Sequence, residues 1–367
     1  MKTLYHNGKI ISKGAVFAGS VLVDEGIITD VIASPDLIVP ADNQINLNGA
    51  YLAPGFIDTH IHGCGGFGVD GDADDLFKMS EILLKQGVIA FTPTLYPTHD
   101  MAARLKKFAA VIGREKGAKI TGFHLEGPFI SADKPGVMNP ADIRPVNVED
   151  VKKLYDAAEG KISAITAAPE LPGTDKLAAF AREKNFILQA GHTNATYAQM
   201  FAGADMGITH CTHIFNAMSP LNHRDPGAPG AALTDNRFTV ELIADGAHLH
   251  PAIVKMVLML KGPYNIVLVS DSINPAGLPK GRASGEDVLL KNGIFRRKAD
   301  DIIAGSAITM LEGLQNLIKW GCPPEYASMA ASDNPAKLHK LNMGAIAKNH
   351  IARFIVLDKN FNLQQVI

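Results

Sequence analysis

Histidine and carboxylate side chains recur in this sequence where they can act together. The segment Asp58-Thr59-His60-Ile61-His62-Gly63 sets two imidazoles at alternate positions, and alternate side chains of an extended segment point the same way. Both rings can therefore face one metal ion. Gly63, Gly65 and Gly66 then allow the backbone to turn closely around such a site. Further along stand Glu126 in His124-Leu125-Glu126-Gly127-Pro128, His192 after Ala190-Gly191, His213 closing Thr209-His210-Cys211-Thr212-His213, and Asp271 in Ser270-Asp271-Ser272. A lone His-x-His is a weak signal, and one glutamate is as easily a salt-bridge partner. Taken together, imidazoles and carboxylates suit zinc and other first-row divalent ions. The three cysteines lack the paired spacing of a thiolate zinc site, and Cys64 and Cys211 read as packing residues.

Each of these groups follows an apolar run that reads as a buried parallel strand. The runs are Leu52–Asp58, Val88–Thr94, Lys119–Leu125, Ile162–Ala167, Phe186–Ala190, Gly207–Thr212, Phe238–Ala244 and Asn265–Val269, with room for a helix or loop between successive members. Such alternation predicts an α/β fold, and eight units predict a (β/α)8 TIM-like barrel. A doubly wound open sheet has the same alternation and is the alternative. In a barrel the C-terminal strand ends form the rim that carries the active site. His60, His62, Glu126, His192, His213 and Asp271 then share one layer, a placement that scattered buried histidines would leave unexplained. Amphipathic spacing predicts a helix over Asp74 to Gln86, burying Leu76, Met79 and Leu83 and stopped by Gly87. Thr98 is expected to cap the next helix, with Met101, Leu105, Phe108 and Ile112 on its inner face.

The first fifty residues have a different texture, with short β-type runs broken at Asn7-Gly8, Asp24-Glu25-Gly26 and Asn48-Gly49. Short strands return after about His339. The ends are expected to form one small β domain, 1–53 with 338–367, flanking a barrel of 54–337. The 367 residues carry 35 Lys+Arg against 37 Asp+Glu, and a net charge of -2 argues against a general nucleic-acid binder. Apolar residues at 47% and charged residues at 20% exclude disorder as the dominant state. No uncharged apolar run reaches the ~18 residues a membrane helix needs. Ala15 to Val23 runs into Asp24 and Glu25 and reads as a strand, not a signal peptide. An odd number of cysteines argues for free thiols in a reducing compartment, so the cytoplasm is the expected location.

The motifs resemble those of the amidohydrolase superfamily and, within it, the N-acetylglucosamine-6-phosphate deacetylase family. The likeness spans essentially the whole chain. It rests on Pro54-Gly55-Phe56-Ile57-Asp58-Thr59-His60-Ile61-His62-Gly63, His124-Leu125-Glu126-Gly127-Pro128-Phe129, Gly191-His192-Thr193 and His213-Ile214-Phe215-Asn216-Ala217-Met218-Ser219-Pro220. Arg224-Asp225-Pro226-Gly227, Glu241-Leu242-Ile243-Ala244-Asp245-Gly246-Ala247-His248, Ser270-Asp271-Ser272 and Ala304-Gly305-Ser306 complete it. The Asn-Ala-Met block with its downstream arginine and Asp-Gly-x-His is the family-specific part; His-x-His marks only the superfamily.

The resemblance implies a distorted (β/α)8 barrel beside a small β-sandwich built from both termini. It implies that Glu126, His192 and His213 hold a principal divalent ion, most simply zinc, with iron, manganese or cobalt as alternatives. His60 and His62 would hold a second, bridged through Glu126 and approached by Asp271, giving one or two ions per subunit. Asp271 becomes the acid/base for hydrolysis of an acetamide, because an amide needs a proton taken from water and another given to the departing amine. His248 would stabilise the oxyanion. Arg224 and the backbone around Asn216 and Ala217 would anchor the substrate's phosphate, with Arg224 reaching a neighbouring site in a homodimer. His223 and His250 are supporting residues.

Two departures stand out. Met138 occupies a place where relatives commonly have histidine or glutamine, which bears on the sugar hydroxyls and raises the galactosamine epimer as an alternative substrate. Asn349 and Arg353 depart from the C-terminal strand motif. A cyclic-amide hydrolase using a carboxylated lysine is disfavoured, because Ile162 to Ala168 contains no lysine. A catalytically silent sugar-phosphate sensor is disfavoured by the full set of catalytic groups.

Overall fold

The computed structural model describes residues 1–34, 39–279 and 287–367. Phe56–Ile61, Val88–Leu95, Phe123–Glu126, Ile162–Ala167, Ile187–Ala190, His210–Cys211, Thr239–Ile243 and Ile266–Val269 form eight parallel strands that pair in chain order. These are the first to eighth barrel strands below. The predicted run Leu52–Asp58 divides at Gly55: Tyr51–Pro54 pairs with strands from the chain ends, and only Phe56 onward enters the barrel. A Cβ on Gly55 would lie 2.2 Å from Ile89, so the backbone can cross between sheets there only without a side chain. The third run is also interrupted, with Lys119–Ile120 pairing ahead of Phe123–Glu126.

A helix follows each strand: Ala73–Lys85, Met101–Ala109, Val148–Ala157, Thr174–Lys184, Tyr197–Asp205, Gly227–Thr234, Pro251–Lys261 and Met310–Lys319. Leu76, Met79 and Leu83 are buried on the first as their spacing predicts. The second helix corrects the sequence reading. Asp100, not Thr98, stands at its N-cap, and it ends at Ala109, leaving Ile112 beyond it in the following turn. Reciprocal capping boxes, Thr196 with Gln199 and Thr309 with Glu312, fix where the fifth and eighth helices begin.

The barrel closes at its C-terminal rim. The first and eighth strands share no ladder among the described residues. Instead Asp271 N–H donates to His60 O at 2.9 Å, while His62 N–H and Gly63 N–H donate to Ser272 O at 2.9 and 3.0 Å. Asp58, wholly buried, accepts from Ser270 Oγ at 2.6 Å across the same seam.

Strands from both chain ends join in one seven-stranded sheet, ordered Leu363–Val366, Phe354–Leu357, Tyr51–Pro54, Lys2–Ser12, Ala15–Asp24, Ile27–Ile32, with Asn43–Asn46 also on Lys2–Ser12. Its far edge returns on itself, since Ile28 N–H donates to His350 O and Ala352 N–H to Gly26 O. The sheet therefore folds over a core of its own, including Tyr5, Ile10, Val21, Ile28, Leu52 and Phe354. This is the small β-sandwich expected from the resemblance. One element was unforeseen: Val288–Lys291, Ile294–Arg297 and Ile303–Ser306 form an antiparallel sheet between the eighth strand and the last helix. Among the described residues no helix is long and apolar enough to cross a membrane.

Candidate active site

The strand ends deliver the predicted groups to one place. Glu126 lies at the centre, with its Oε1 2.8 Å from His213 Nε2, 3.0 Å from His192 Nε2 and 3.6 Å from His60 Nε2. Its Oε2 lies 3.3 Å from His62 Nε2. Asp271 Oδ1 stands 3.4 and 3.3 Å from the Nε2 atoms of His60 and His62. His60, Glu126 and His213 can present atoms to one ion, and His60, His62 and Asp271 to another.

Local backbone conformation makes this convergence possible. His192, His213, Phe215, Ala217 and Asp271 all have positive φ, an uncommon state for residues other than glycine. Such strain gathers where a surrounding scaffold forces side chains into functional positions. Gly191 and Gly136 give His192 its room. A Cβ on Gly191 would lie 2.6 Å from Thr212, and one on Gly136 would lie 3.0 Å from the His192 ring.

The ring nitrogens facing away from the centre fix the tautomers. His62 Nδ1 is 2.8 Å from Thr94 O and His192 Nδ1 is 2.9 Å from Lys134 O. A carbonyl only accepts, so both Nδ1 atoms carry the proton and, in a neutral ring, both Nε2 atoms present lone pairs to Glu126. His60 donates from Nδ1 to Glu241 Oε2 at 2.8 Å, and its buried Nε2 has no hydrogen-bond partner among the described residues. Lone pairs facing carboxylate oxygens at these distances repel unless a proton or a metal cation lies between them. The amidohydrolase donor pattern implies a divalent ion, and this donor set fits one.

The charges agree with that reading. Burial opposes charge on His60, yet Glu241, Glu126 and Asp271 together raise it well above the usual imidazole value. Burial would likewise raise Glu126, but His60 and His192 hold it well below the usual carboxylate range. Asp271 is also held low against its burial, by His60 and His62.

A cavity of about 440 Å³ opens on the centre, bordered by His62, Tyr96, Met138, Asn216, His248 and Asp271 among others. His248 donates from Nδ1 to Asp245 Oδ2 at 2.6 Å and holds Nε2 4.0 Å from Asp271 Oδ2. Asn216 and Ala217 also line the cavity, and Asn216 Nδ2 donates to His213 O and Ile214 O. Met138 is buried in the wall, beside the unforeseen sheet, whose Arg297 donates to Val137 O at 2.9 Å.

Arg224 is not brought to this cavity. It lies with His223 on an exposed turn before the sixth helix, outside the lining of its own chain's site. His250 caps the seventh helix by accepting from Ala252 N–H. Cys64, Cys211 and Cys322 are buried and free, and burial pushes each thiol up to about 12, which makes them inert packing groups.

Sequence reasoning missed the polar layer beneath the site. Thr94, His124, Thr166, Gln189, Thr212 and Glu241 are joined by hydrogen bonds inside the barrel. Its signal was present as a single charged residue, Glu241, between Val240 and Leu242 in a buried strand. Asp245, the partner of His248, stood in the Asp-Gly-x-His motif with no role assigned to it.

A (β/α)8 barrel with a histidine–carboxylate cluster at its C-terminal rim, opening on a cavity, has the architecture and donor set of a metal-dependent hydrolase. Residues 51–367 match the amidohydrolase family. An N-acetylglucosamine-6-phosphate deacetylase of Bacillus subtilis is 35% identical over 83% of this chain and 77% of its own. An N-acetylgalactosamine-6-phosphate deacetylase of Escherichia coli O157:H7 is 31% identical over 94% and 92%. Among solved structures, a mutant Mycobacterium smegmatis N-acetyl-D-glucosamine-6-phosphate deacetylase in complex with N-acetyl-D-glucosamine-6-phosphate has a TM-score of 0.91 at 28% identity, covering 100% of this chain and 97% of that one. The Thermotoga maritima N-acetylglucosamine-6-phosphate deacetylase has a TM-score of 0.88 at 31% identity, covering 99% and 97%. The chain belongs to the amidohydrolase family and, within it, to the N-acetylglucosamine-6-phosphate deacetylases.

Proposed function

We propose that this chain hydrolyses the acetamide of N-acetyl-D-glucosamine 6-phosphate, releasing acetate and D-glucosamine 6-phosphate in amino-sugar catabolism. The observation that carries it is Asp271, poised between the His60–His62 pair and His248 at the floor of a sugar-sized cavity. Glu126, His192 and His213 would hold a principal divalent ion, with His60, His62 and Asp271 available to a second; zinc suits these ligands best, and iron, manganese or cobalt also fit. When bound, such an ion polarises a carbonyl and makes water nucleophilic near neutral pH.

The chain's own groups supply the rest. Asp271 takes a proton from the attacking water and returns it to the amide nitrogen, which is too basic to leave unprotonated. Asp245 accepts from His248 Nδ1–H and fixes the ring so that its Nε2 side faces the cavity, placed to stabilise the oxygen of the tetrahedral intermediate. Tyr96 stacks flat on His62 at 3.9 Å and limits water beside it.

The phosphate would lie against Asn216 and the Ala217 backbone, with Arg224 supplied by a second copy in a homodimer. Exposure of Arg224 supports this, as does exposed apolar surface at Leu221, Met259 and Leu260. The cytoplasm is the proposed location, in keeping with three unpaired cysteines. The same reading divides the chain into a barrel of 54–337 and a β domain of 1–53 with 338–367.

A second reading keeps the chemistry and changes the epimer to N-acetylgalactosamine 6-phosphate. Met138, an apolar side chain in the sugar pocket, favours it. Acetate release by the metal-loaded enzyme from both phosphorylated epimers and their unphosphorylated sugars decides between them. Preference for phosphorylated glucosamine is expected, with Arg224→Ala raising KM for that substrate alone. Preference for the galactosamine epimer would move the substrate, and no release from any of the four would overturn the reading.

A further inference from the structure

Glu241 lies in the seventh strand, fully buried and outside the lining of the substrate cavity. A buried carboxylate needs strong partners, and its partners are specific. Its Oε2 accepts from His60 Nδ1–H at 2.8 Å and from the backbone N–H of His213 at 3.1 Å. Its Oε1 accepts from Gln189 Nε2 at 3.2 Å and faces His210 Nε2 at 3.4 Å. One oxygen thus holds the ring of one metal-facing histidine and the main chain of another. Gln189 and His210 hold that carboxylate from below.

We infer that Glu241 is the positioning residue of the metal centre, fixing the tautomer and aim of His60 and thereby occupancy by the second ion. This rests on the metal-dependent reading above. With Nδ1–H committed to Glu241, only the Nε2 lone pair can face Glu126 and Asp271. Remove the negative charge, and the proton is free to sit on Nε2, where it blocks a ligand bond. A hydrogen-bonded carboxylate also makes the imidazole a stronger donor to a metal, and losing such a partner costs about 10- to 100-fold in affinity. His213 is tied only through its main chain, so its side chain keeps its own aim when Glu241 changes.

The test is Glu241→Gln in the full chain, titrated with Zn2+ against a chromophoric chelator. Thermal unfolding of the metal-free protein is measured alongside. Two ions are expected for the unaltered chain. In the variant, the weaker should lose about 10- to 100-fold in affinity, the tighter should change no more than a few-fold, and the metal-free melting temperature should hold. Two ions bound with unaltered affinity would overturn the inference. So would equal weakening of both ions with a lowered melting temperature, which marks a merely structural role. If the glutamine variant does not fold, Glu241→Asp withdraws the charge from His60 by one methylene and must show the same selective loss. Failure of the unaltered chain to bind Zn2+ would overturn the metal-dependent reading itself, a distinct outcome.

Discussion

Asp271 has two uses in this geometry, as a potential ligand beside His60 and His62 and as the carboxylate facing His248 Nε2 across 4.0 Å. Replacing it with asparagine keeps its size and removes its proton chemistry. Asp271→Asn is expected to retain the ion on Glu126, His192 and His213 while kcat falls by at least about 10²- to 10⁴-fold. Metal analysis with steady-state kinetics checks this, and near-normal turnover would remove Asp271 from the acid/base role. At this scale the sequence was most informative about groups that stand at strand ends, because adjacent glycines and histidines mark the rim. It was least informative about groups that act from inside the barrel. Glu241 stood at the head of a motif with no role of its own to read, since its hydrogen bonds to His60 and Gln189, 181 and 52 residues away, exist only once the barrel closes. Arg224 is the reverse case: its motif was plain, while the structure leaves it exposed and outside the lining of its own chain's cavity.

The elements position the site through close approach as much as through packing. Gly191 leaves the fifth strand between Thr166 and Thr212, and an added Cβ would stand 2.6 to 2.8 Å from both. Gly191→Ala must push His192 or its neighbouring strands outward, at a cost of about 1–3 kcal/mol. Thermal or denaturant unfolding should report that loss, and weakened metal binding should accompany it if His192 is the ligand proposed above. The barrel strands were readable as apolar runs, and the first helix as a clear stripe of Leu76, Met79 and Leu83. The crossing at Gly55 was not readable, because one continuous apolar run serves two sheets. The hairpin at Val288–Arg297 carried an Asn292-Gly293 turn signal, with both residues at positive φ. It was overlooked because a strand–helix count leaves no place for an antiparallel insertion.

Across the whole molecule, the terminal sheet and the barrel meet near Asp333, at the end of the π-helical segment Met329–Asp333. Burial pushes its carboxyl up to about 7, with Lys13 of the terminal sheet's first hairpin opposing. The folded chain then holds more protons than the unfolded chain between the ordinary carboxylate pKa of 3.8 and about 7. Stability from this group therefore falls as pH rises through that window, by at most about 4 kcal/mol. Asp333→Asn should raise the melting temperature at pH 8 and leave it nearly unchanged at pH 4; equal shifts at both would refute the charge argument. The architecture of barrel and terminal sheet was legible from composition along the chain, whereas the burial of Asp333 depends on how the two pack. The seam of the barrel has a consequence for how the protein is made. His60 and His62 leave the ribosome some two hundred residues before Asp271 and Ser272, whose main chain completes their surroundings. Glu126, His192 and His213 are all synthesised before Asp271, so the group of His60, His62 and Asp271 is the later of the two to be complete. If two ions are held as proposed, the site built from His60, His62 and Asp271 cannot be complete before the eighth strand has been made.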